Sequence, residues 1–308
     1  MPQTERLSAD QVTRAAQILR DGGRVAFATE TVYGLGADAT NDRAVAGIYA
    51  AKDRPSFNPL IVHVPDLAAA RCYVQFTPEA EALAAAFWPG ALTLVLPLKP
   101  DAGIASLVTA GLDTLAIRVP DHGLAQDLLR QAGRPVAAPS ANPSGRISPT
   151  TADHVLNGLD GKIEAVLDGG PCKVGLESTI VGFDPQPTLL RPGGLPVEAV
   201  ETCLRQPLAQ HQGGITAPGQ MTSHYAPGNT IRLNVTDPDP NASYLGFGPM
   251  DSTLNLSRSG DLIEAAANLF DHLHRLDALG KPIAVAPIPN SGLGRAINDR
   301  LTRAAAPQ

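Results

Sequence analysis

The chain has 308 residues, 44% of them hydrophobic and 18% charged, with a net charge of −6. That composition excludes a disordered chain and a strongly basic nucleic-acid binder. Aromatic residues at 4% argue against a stacking platform for single-stranded nucleic acid, and the length predicts about two domains, each able to bury its own core.

The first helix is predicted after Ser8. Ser8 and Gln11 form a capping-box pattern, and Val12, Ala15, Ala16 and Leu19 share one face. Gly22 and Gly23 stop it, and residues 25–28 read as a strand. A second helix is predicted over 44–51 and a strand over 60–64. Thr77 and Pro78 have the chemistry of an N-cap and first helical residue for a helix reaching Trp88. Strand-like runs follow at 92–96, 115–119, 136–138, 166–167, 179–183 and 188–190, with helices over 123–132 and 151–156. Interleaved elements of this kind predict an α/β or α+β fold with a mixed sheet. After Leu204 the composition shifts, and 206–228, rich in Gln, Gly, Pro and Ala, reads as a linker. Strands at 231–235, 244–247 and 283–287, with helices at 262–279 and 294–305, predict a further small α/β unit. The expected division is a catalytic domain over 1–205, a linker or lid over 206–228 and a small domain over 229–308.

Cys72, Cys172 and Cys203 are far apart and form no CxxC pair, which fits a reducing cytoplasm. There is no apolar N-terminal stretch of a signal peptide and no apolar run approaching ~18 residues, so neither secretion nor membrane spanning is expected.

Several catalytic signatures are absent: GxxxxGK[ST], HExxH, GxSxG and the kinase set. Gly34-Leu35-Gly36-Ala37-Asp38-Ala39 matches a dinucleotide fingerprint, with Asp53 placed like a ribose-binding acid. Glu30, Thr31 and Tyr33 separate those glycines from the preceding strand, however, and the next helical pattern starts near Ala44. The glycines therefore read as a tight turn. Lys52-Asp53-Arg54-Pro55 puts two cations one residue apart at a helix exit. A point charge and a bidentate fork so placed can grip two oxygens of one polyphosphate, although the same pattern is common on solvated faces. Ser140-Ala141-Asn142, framed by Pro139 and Pro143, is either a rigid turn presenting polar groups to a ligand or a plain Asx or Ser turn. His63, Arg118 and Arg191 interrupt strand patterns. Singly they read as satisfied or snorkelling side chains, and together they suit carboxylates and phosphates. Glu177-Ser178-Thr179 is hydroxyl-rich at a strand entrance, a capping pattern by default. Gly292-Leu293-Gly294 reads as a tight strand-to-helix turn rather than a phosphate seat. Together these residues describe a pocket for an anion-rich substrate, without metal ligands of its own. They do not name a reaction.

The ordered set Thr29-Glu30-Thr31-Val32-Tyr33-Gly34-Leu35, Lys52-Asp53-Arg54-Pro55, Asn58-Pro59-Leu60 with His63, Ser140-Ala141-Asn142, Ser178-Thr179-Ile180 and Leu190-Arg191-Pro192-Gly193 resembles the YrdC-type threonylcarbamoyl-AMP synthases. The KxR and SxN pair is that family's signature. Ser223-His224-Tyr225-Ala226-Pro227 and the unit after it resemble the family's long, two-domain form.

The resemblance implies a twisted mixed sheet with helices around a concave cavity, and a small Rossmann-like C-terminal domain. It implies condensation of ATP, L-threonine and bicarbonate into L-threonylcarbamoyl-AMP and pyrophosphate. That product feeds N6-threonylcarbamoyladenosine synthesis next to the anticodon of tRNA. Carried over residue by residue, Thr31, His63, Arg118, the Ala138 backbone and Ser178 line the threonine site, with Arg118 on the carboxylate. Lys52, Arg54, Asn58, Thr114, Ser140, Asn142, Ser148 and Arg191 meet ATP, and Tyr225 closes over the nucleotide. Lys52 and Arg54 are the expected catalytic cations. Mg²⁺ carried by ATP is the expected cofactor, with no tightly bound protein-liganded metal. The expected partners are tRNA threonylcarbamoyl transferase proteins and tRNA. The competing expectation is an RNA-binding module of the same fold without adenylate chemistry, which the net charge disfavours. A carbamoyl-activating enzyme of the hydrogenase-maturation kind would need zinc-finger-like and acylphosphatase regions, for which this chain has no room.

Overall fold

A computed structural model describes residues 3–211, 213–214, 216–219 and 224–307. The elements of the first part are β1 (Glu5–Leu7), α1 (Val12–Arg20), β2 (Val25–Phe27), β3 (Gly34–Asp38), α2 (Asp42–Lys52), β4 (Ile61–His63), α3 (Leu67–Ala70), α4 (Pro78–Phe87), β5 (Leu92–Pro97), α5 (Ser106–Thr109) and β6 (Thr114–Arg118). They continue with α6 (Gly123–Ala132), β7 (Val136–Ala137), α7 (Ala152–Leu159), β8 (Ala165–Leu167), β9 (Thr179–Gly182), β10 (Thr188–Arg191), α8 (Val197–Leu204) and β11 (Ala209–Gln210). The rest is β12 (Ile231–Arg232), β13 (Ser243–Gly246), β14 (Leu254–Asn255), α9 (Leu262–Asp277), β15 (Ile283–Val285) and α10 (Leu293–Ala304).

The first eleven strands form one sheet in the order β1-β8-β2-β3-β7-β4-β6-β5-β9-β10-β11. It is mixed: β4 pairs with β6 and β5 with β9 in parallel, whereas β2–β3, β4–β7 and β5–β6 are antiparallel. The last four strands form a separate, wholly parallel sheet ordered β12-β15-β13-β14. The fold class is the α/β class expected.

Local chemistry sets the element ends. The Ser8–Gln11 capping box is present, though its first turn is 3₁₀ and the α-helix begins at Val12. Thr77 Oγ1 accepts from Ala80 N at 3.2 Å, with Pro78 in the first turn of α4. Ala15, Ala16, Ile18 and Leu19 of α1 pack against Ala125, Leu128, Leu129 and Ala132 of α6 in one buried cluster. That pairing follows from the apolar stripe of each helix.

Two expectations need correction. Gly34–Asp38 is a buried strand, not a tight turn. A Cβ on Gly36 would stand 2.9 Å from both the Phe27 ring and the Val136 side chain. The glycine marks close packing across the sheet, one of the two meanings of a glycine within a strand. The stretch read as linker also begins inside the fold, because Ala209–Gln210 adds a parallel edge strand to β10. Ser223 lies outside the described residues.

The second core, built on Leu269, Phe270, Leu273 and Ile297, takes in Val32, Ile147, Leu176 and Tyr225 from earlier in the chain. At this contact His154 and His274 stack with ring centroids 4.0 Å apart, and His274 Nε2 lies 3.2 Å from Ser148 O. Burial, then the neighbouring His154, pull the His274 pKa from 6.5 to about 4, against Asp271 and Asp277. A depressed folded pKa means that the unfolded chain binds the proton and the folded one refuses it. Stability is therefore highest above pH 6.5 and declines as pH falls toward 4. We expect this histidine to contribute a loss of roughly 2 kcal/mol by pH 5. Thermal unfolding at pH 7 and pH 5 checks it: His274→Gln should lose less stability than the wild type on acidification.

Candidate functional site

The site begins at the end of α2. Asp53 takes a left-handed conformation (φ 51°), which Asp tolerates better than most residues, and it turns the chain sharply between Lys52 and Arg54. The two cations consequently do different things. Lys52 is 1% exposed. Its ammonium donates to Ser140 O at 2.6 Å and to Asn142 O, and its carbonyl accepts from Ser144 N at 2.8 Å. It thereby ties down the Ser140-Ala141-Asn142 turn. Burial, with the nearby Arg54 charge, drives its pKa well below the usual lysine value. Arg54 donates Nη2 to Pro59 O at 2.9 Å, and burial lowers it to about 10, so it stays cationic at neutral pH.

Arg54 lines a cavity of about 50 Å³. Thr31, Gly34, His63, Arg118, Ala138, Ser140, Ser178 and Arg191 line it too, from strand ends across the large sheet. Pro218, Gly219, His224 and Tyr225 complete the lining. The Arg191-Pro192-Gly193 turn shapes one wall. A Cβ on Gly193 would lie 2.4 Å from Glu177 O and Thr179 N, so only glycine lets these backbones cross. Arg191 then reaches Ser178 O through Nη2 at 2.8 Å and Pro218 O through Nη1 at 3.3 Å.

On the opposite side Arg118 donates Nη2 to Glu30 Oε1 at 2.5 Å, Nη1 to Thr31 Oγ1 at 2.8 Å and Nε to Gly90 O at 3.1 Å. A guanidinium has five N–H groups, so one hydrogen at each Nη remains for a further acceptor. Burial and the Arg118 charge lower His63 to about 3, which keeps it neutral. Its ring meets Phe27 edge-on.

Nine of the expected site residues therefore share the cavity: Thr31, Arg54, His63, Arg118, Ala138, Ser140, Ser178, Arg191 and Tyr225. Lys52, Asn58, Thr114, Asn142 and Ser148 do not line it. Lys52 and Asn142 are buried behind the wall, Asn142 donating Nδ2 to Arg146 O at 2.8 Å. Ser148 is fully buried and donates to Glu177 Oε1. Thr114 stands at the far end of β6, on the same face as Arg118 but about 13 Å along the strand. Two carboxylates that the sequence patterns do not single out support the site, Glu177 in the cavity lining and Glu30 behind Arg118. Each faces an arginine distant in sequence, Arg118 and Arg300, so no local pattern points to the pairing. Among the described residues no group of three or more His, Cys, Asp or Glu could hold a metal ion.

With that geometry in view, the likeness to known proteins becomes specific. The Sua5/YciO/YrdC family model, described as telomere recombination, matches residues 17–193. A model for the threonylcarbamoyl-AMP synthase C-terminal domain matches residues 195–306. The chain belongs to the Sua5/YrdC threonylcarbamoyl-AMP synthase family. Within that family it is 42% identical to the threonylcarbamoyl-AMP synthase of Bacillus subtilis, over 98% of this chain and 95% of the relative. It is 39% identical to that of Pyrococcus abyssi, over 97% and 95%. The crystal structure of P. abyssi Sua5 complexed with L-threonine superposes with a TM-score of 0.89 at 37% identity, covering 98% of this chain and 97% of that one. E. coli YciO, at 22% identity and a TM-score of 0.56, shares the fold over 63% of this chain and 96% of its own.

Proposed function

We infer that this chain is an enzyme that makes L-threonylcarbamoyl-AMP from ATP, L-threonine and bicarbonate, with release of pyrophosphate. What supports the reading is one cavity with two chemically distinct walls, seen within a chain of this family. One wall carries Thr31, His63 and Arg118, suited to a small zwitterion with a hydroxyl, and Ser178, whose carbonyl and hydroxyl accept from Arg191, stands where it meets the other. The other carries Arg54 and Arg191, suited to phosphates.

In this reading the residual Nη hydrogens of Arg118 take the threonine carboxylate. The Ala138 N–H is already given to Ile61 O at 2.8 Å, which leaves its carbonyl to accept from the amine. The ammonium gives up one proton to solvent, the free amine adds to bicarbonate, water leaves, and a carbamate forms. A carbamate oxygen then attacks the α-phosphorus as the bond to pyrophosphate breaks. No protein nucleophile is needed; the demand is alignment and neutralisation of charge. Arg54 and Arg191 supply positive charge directly, and Lys52 acts by holding the Ser140 turn. Mg²⁺ would arrive with ATP and help neutralise the phosphates, since Glu177 of the cavity wall and Glu30 behind Arg118 each already face an arginine.

A cavity of about 50 Å³ is far smaller than the ~300 Å³ or more of an ordinary ligand site. Entry of ATP thus requires Pro218–Gly219 and His224–Tyr225 to move, the behaviour of a lid. Tyr225→Ala should raise the KM for ATP about tenfold with a smaller change for threonine, read from initial rates. An unchanged KM for ATP contradicts the lid.

The product would pass to transferase proteins that modify tRNA. The cytoplasm is the compartment we propose, consistent with three free cysteines. Among the described residues no helix is long and apolar enough to cross a membrane. The test is pyrophosphate release with single omissions. Release that stops without threonine or without bicarbonate fits the reading; release independent of threonine opposes it.

A further inference from the structure

Arg300 is among the largest fully buried side chains of the protein, with 0% exposure. It lies on α10, none of whose described residues lines the cavity. Its Nε donates to Glu177 Oε2 at 2.8 Å and its Nη1 to Asp299 Oδ2 at 2.6 Å. Its guanidinium carbon stands 5.1 Å from the centroid of the Tyr225 ring, and Phe270 of α9 stacks on that ring at 5.7 Å. One cation therefore bridges three groups from three places in the chain: a carboxylate of the cavity wall, the ring that closes the cavity, and its own helix.

We propose that Arg300 is a positioning residue through which the C-terminal domain acts on the reaction, seating the Tyr225 ring over the ATP wall and fixing the Glu177 carboxylate against Ser148. The inference rests on the ATP and threonine reading given above. Burial raises the Glu177 pKa, but the Arg300 and Arg191 charges and the Ser148 hydroxyl more than offset this, so the group stays ionised. A planar fork is required here. It can hold two carboxylates in its plane while presenting a face to an aromatic ring, which a lysine cannot do. Tyr225 is clamped by α9 and α10, whereas Arg118 and Thr31 contact neither helix in their hydrogen bonds. The effect should therefore fall on ATP and spare threonine.

The test measures affinities for a non-hydrolysable ATP analogue and for L-threonine by calorimetry on the full chain. Arg300→Lys should weaken the analogue about tenfold and change threonine by less than about twofold. In a Tyr225→Ala background the same substitution should add less than about twofold, because its route of action is gone. Asp299→Asn, at a partly exposed position, removes the negative charge facing Nη1 without opening the buried volume. It should weaken the analogue about threefold, and it decides the matter if Arg300→Lys does not fold. Folded variants that bind the analogue like wild type, or lose both ligands in parallel, overturn the proposal. A wild type that binds both ligands but forms no product overturns the function and leaves the Arg300 result standing.

Discussion

Lys52→Met should fold with its stability changed by no more than about 2 kcal/mol and yet lose at least about 10²-fold in kcat/KM. Opposing effects explain the small change in stability. Removing the ammonium strips a donor from two buried carbonyls, Ser140 O and Asn142 O, at about 1–3 kcal/mol for each group left unsatisfied. Against this, the ammonium itself is fully enclosed, and its desolvation costs several kcal/mol. Met fills a similar volume without that cost. Activity has no such compensation. The Ser140 turn forms part of the cavity wall, and a shift of about 1 Å in a positioned group can cost 10²-fold. Unfolding curves and initial rates on the same preparation separate the two effects. Turnover within a factor of two of wild type would remove Lys52 from the account.

Arg118→Met should be the most damaging single change. It leaves the Glu30 carboxylate, itself 6% exposed, without its cation, a loss of about 3–5 kcal/mol. It also removes the proposed partner of the threonine carboxylate, worth on the order of 10²-fold in affinity. Neutralising the orphan separates these two roles. The double variant Glu30→Gln, Arg118→Met should regain most of the lost stability while threonine binding stays weak. If threonine affinity returns along with stability, Arg118 is a structural ion pair and the threonine wall has been misassigned.

How far the sequence carried the reading varies with the range of the interactions. α6 spans 123–132 as its pattern predicts, because both of its ends are set locally: the His122 ring accepts from Ala125 N, and Gly133 takes a left-handed cap. β3 was misjudged because glycine in a turn and glycine under a packed ring look alike in one dimension. What separates them is Phe27 and Val136 arriving from other strands. The KxR and SxN segments were each legible as polar motifs. Their division of labour was not, since it depends on the left-handed Asp53 that turns Lys52 toward carbonyls 88 and 90 residues away. The arginine–carboxylate pairs across the site were invisible for the same reason. Glu30 meets Arg118 at a separation of 88 residues, and Glu177 meets Arg300 at 123. Charge patterning reports only neighbours three or four residues apart on a helix.

The most direct measurement is mass spectrometry of a reaction holding MgATP, L-threonine and ¹³C-labelled bicarbonate. The predicted result is an L-threonylcarbamoyl-AMP peak that carries the label, vanishes when any one substrate is left out, and grows in step with pyrophosphate. ATP turned over to pyrophosphate with no labelled adenylate, or a folded protein that binds ATP and forms no product from all three substrates, would contradict the account.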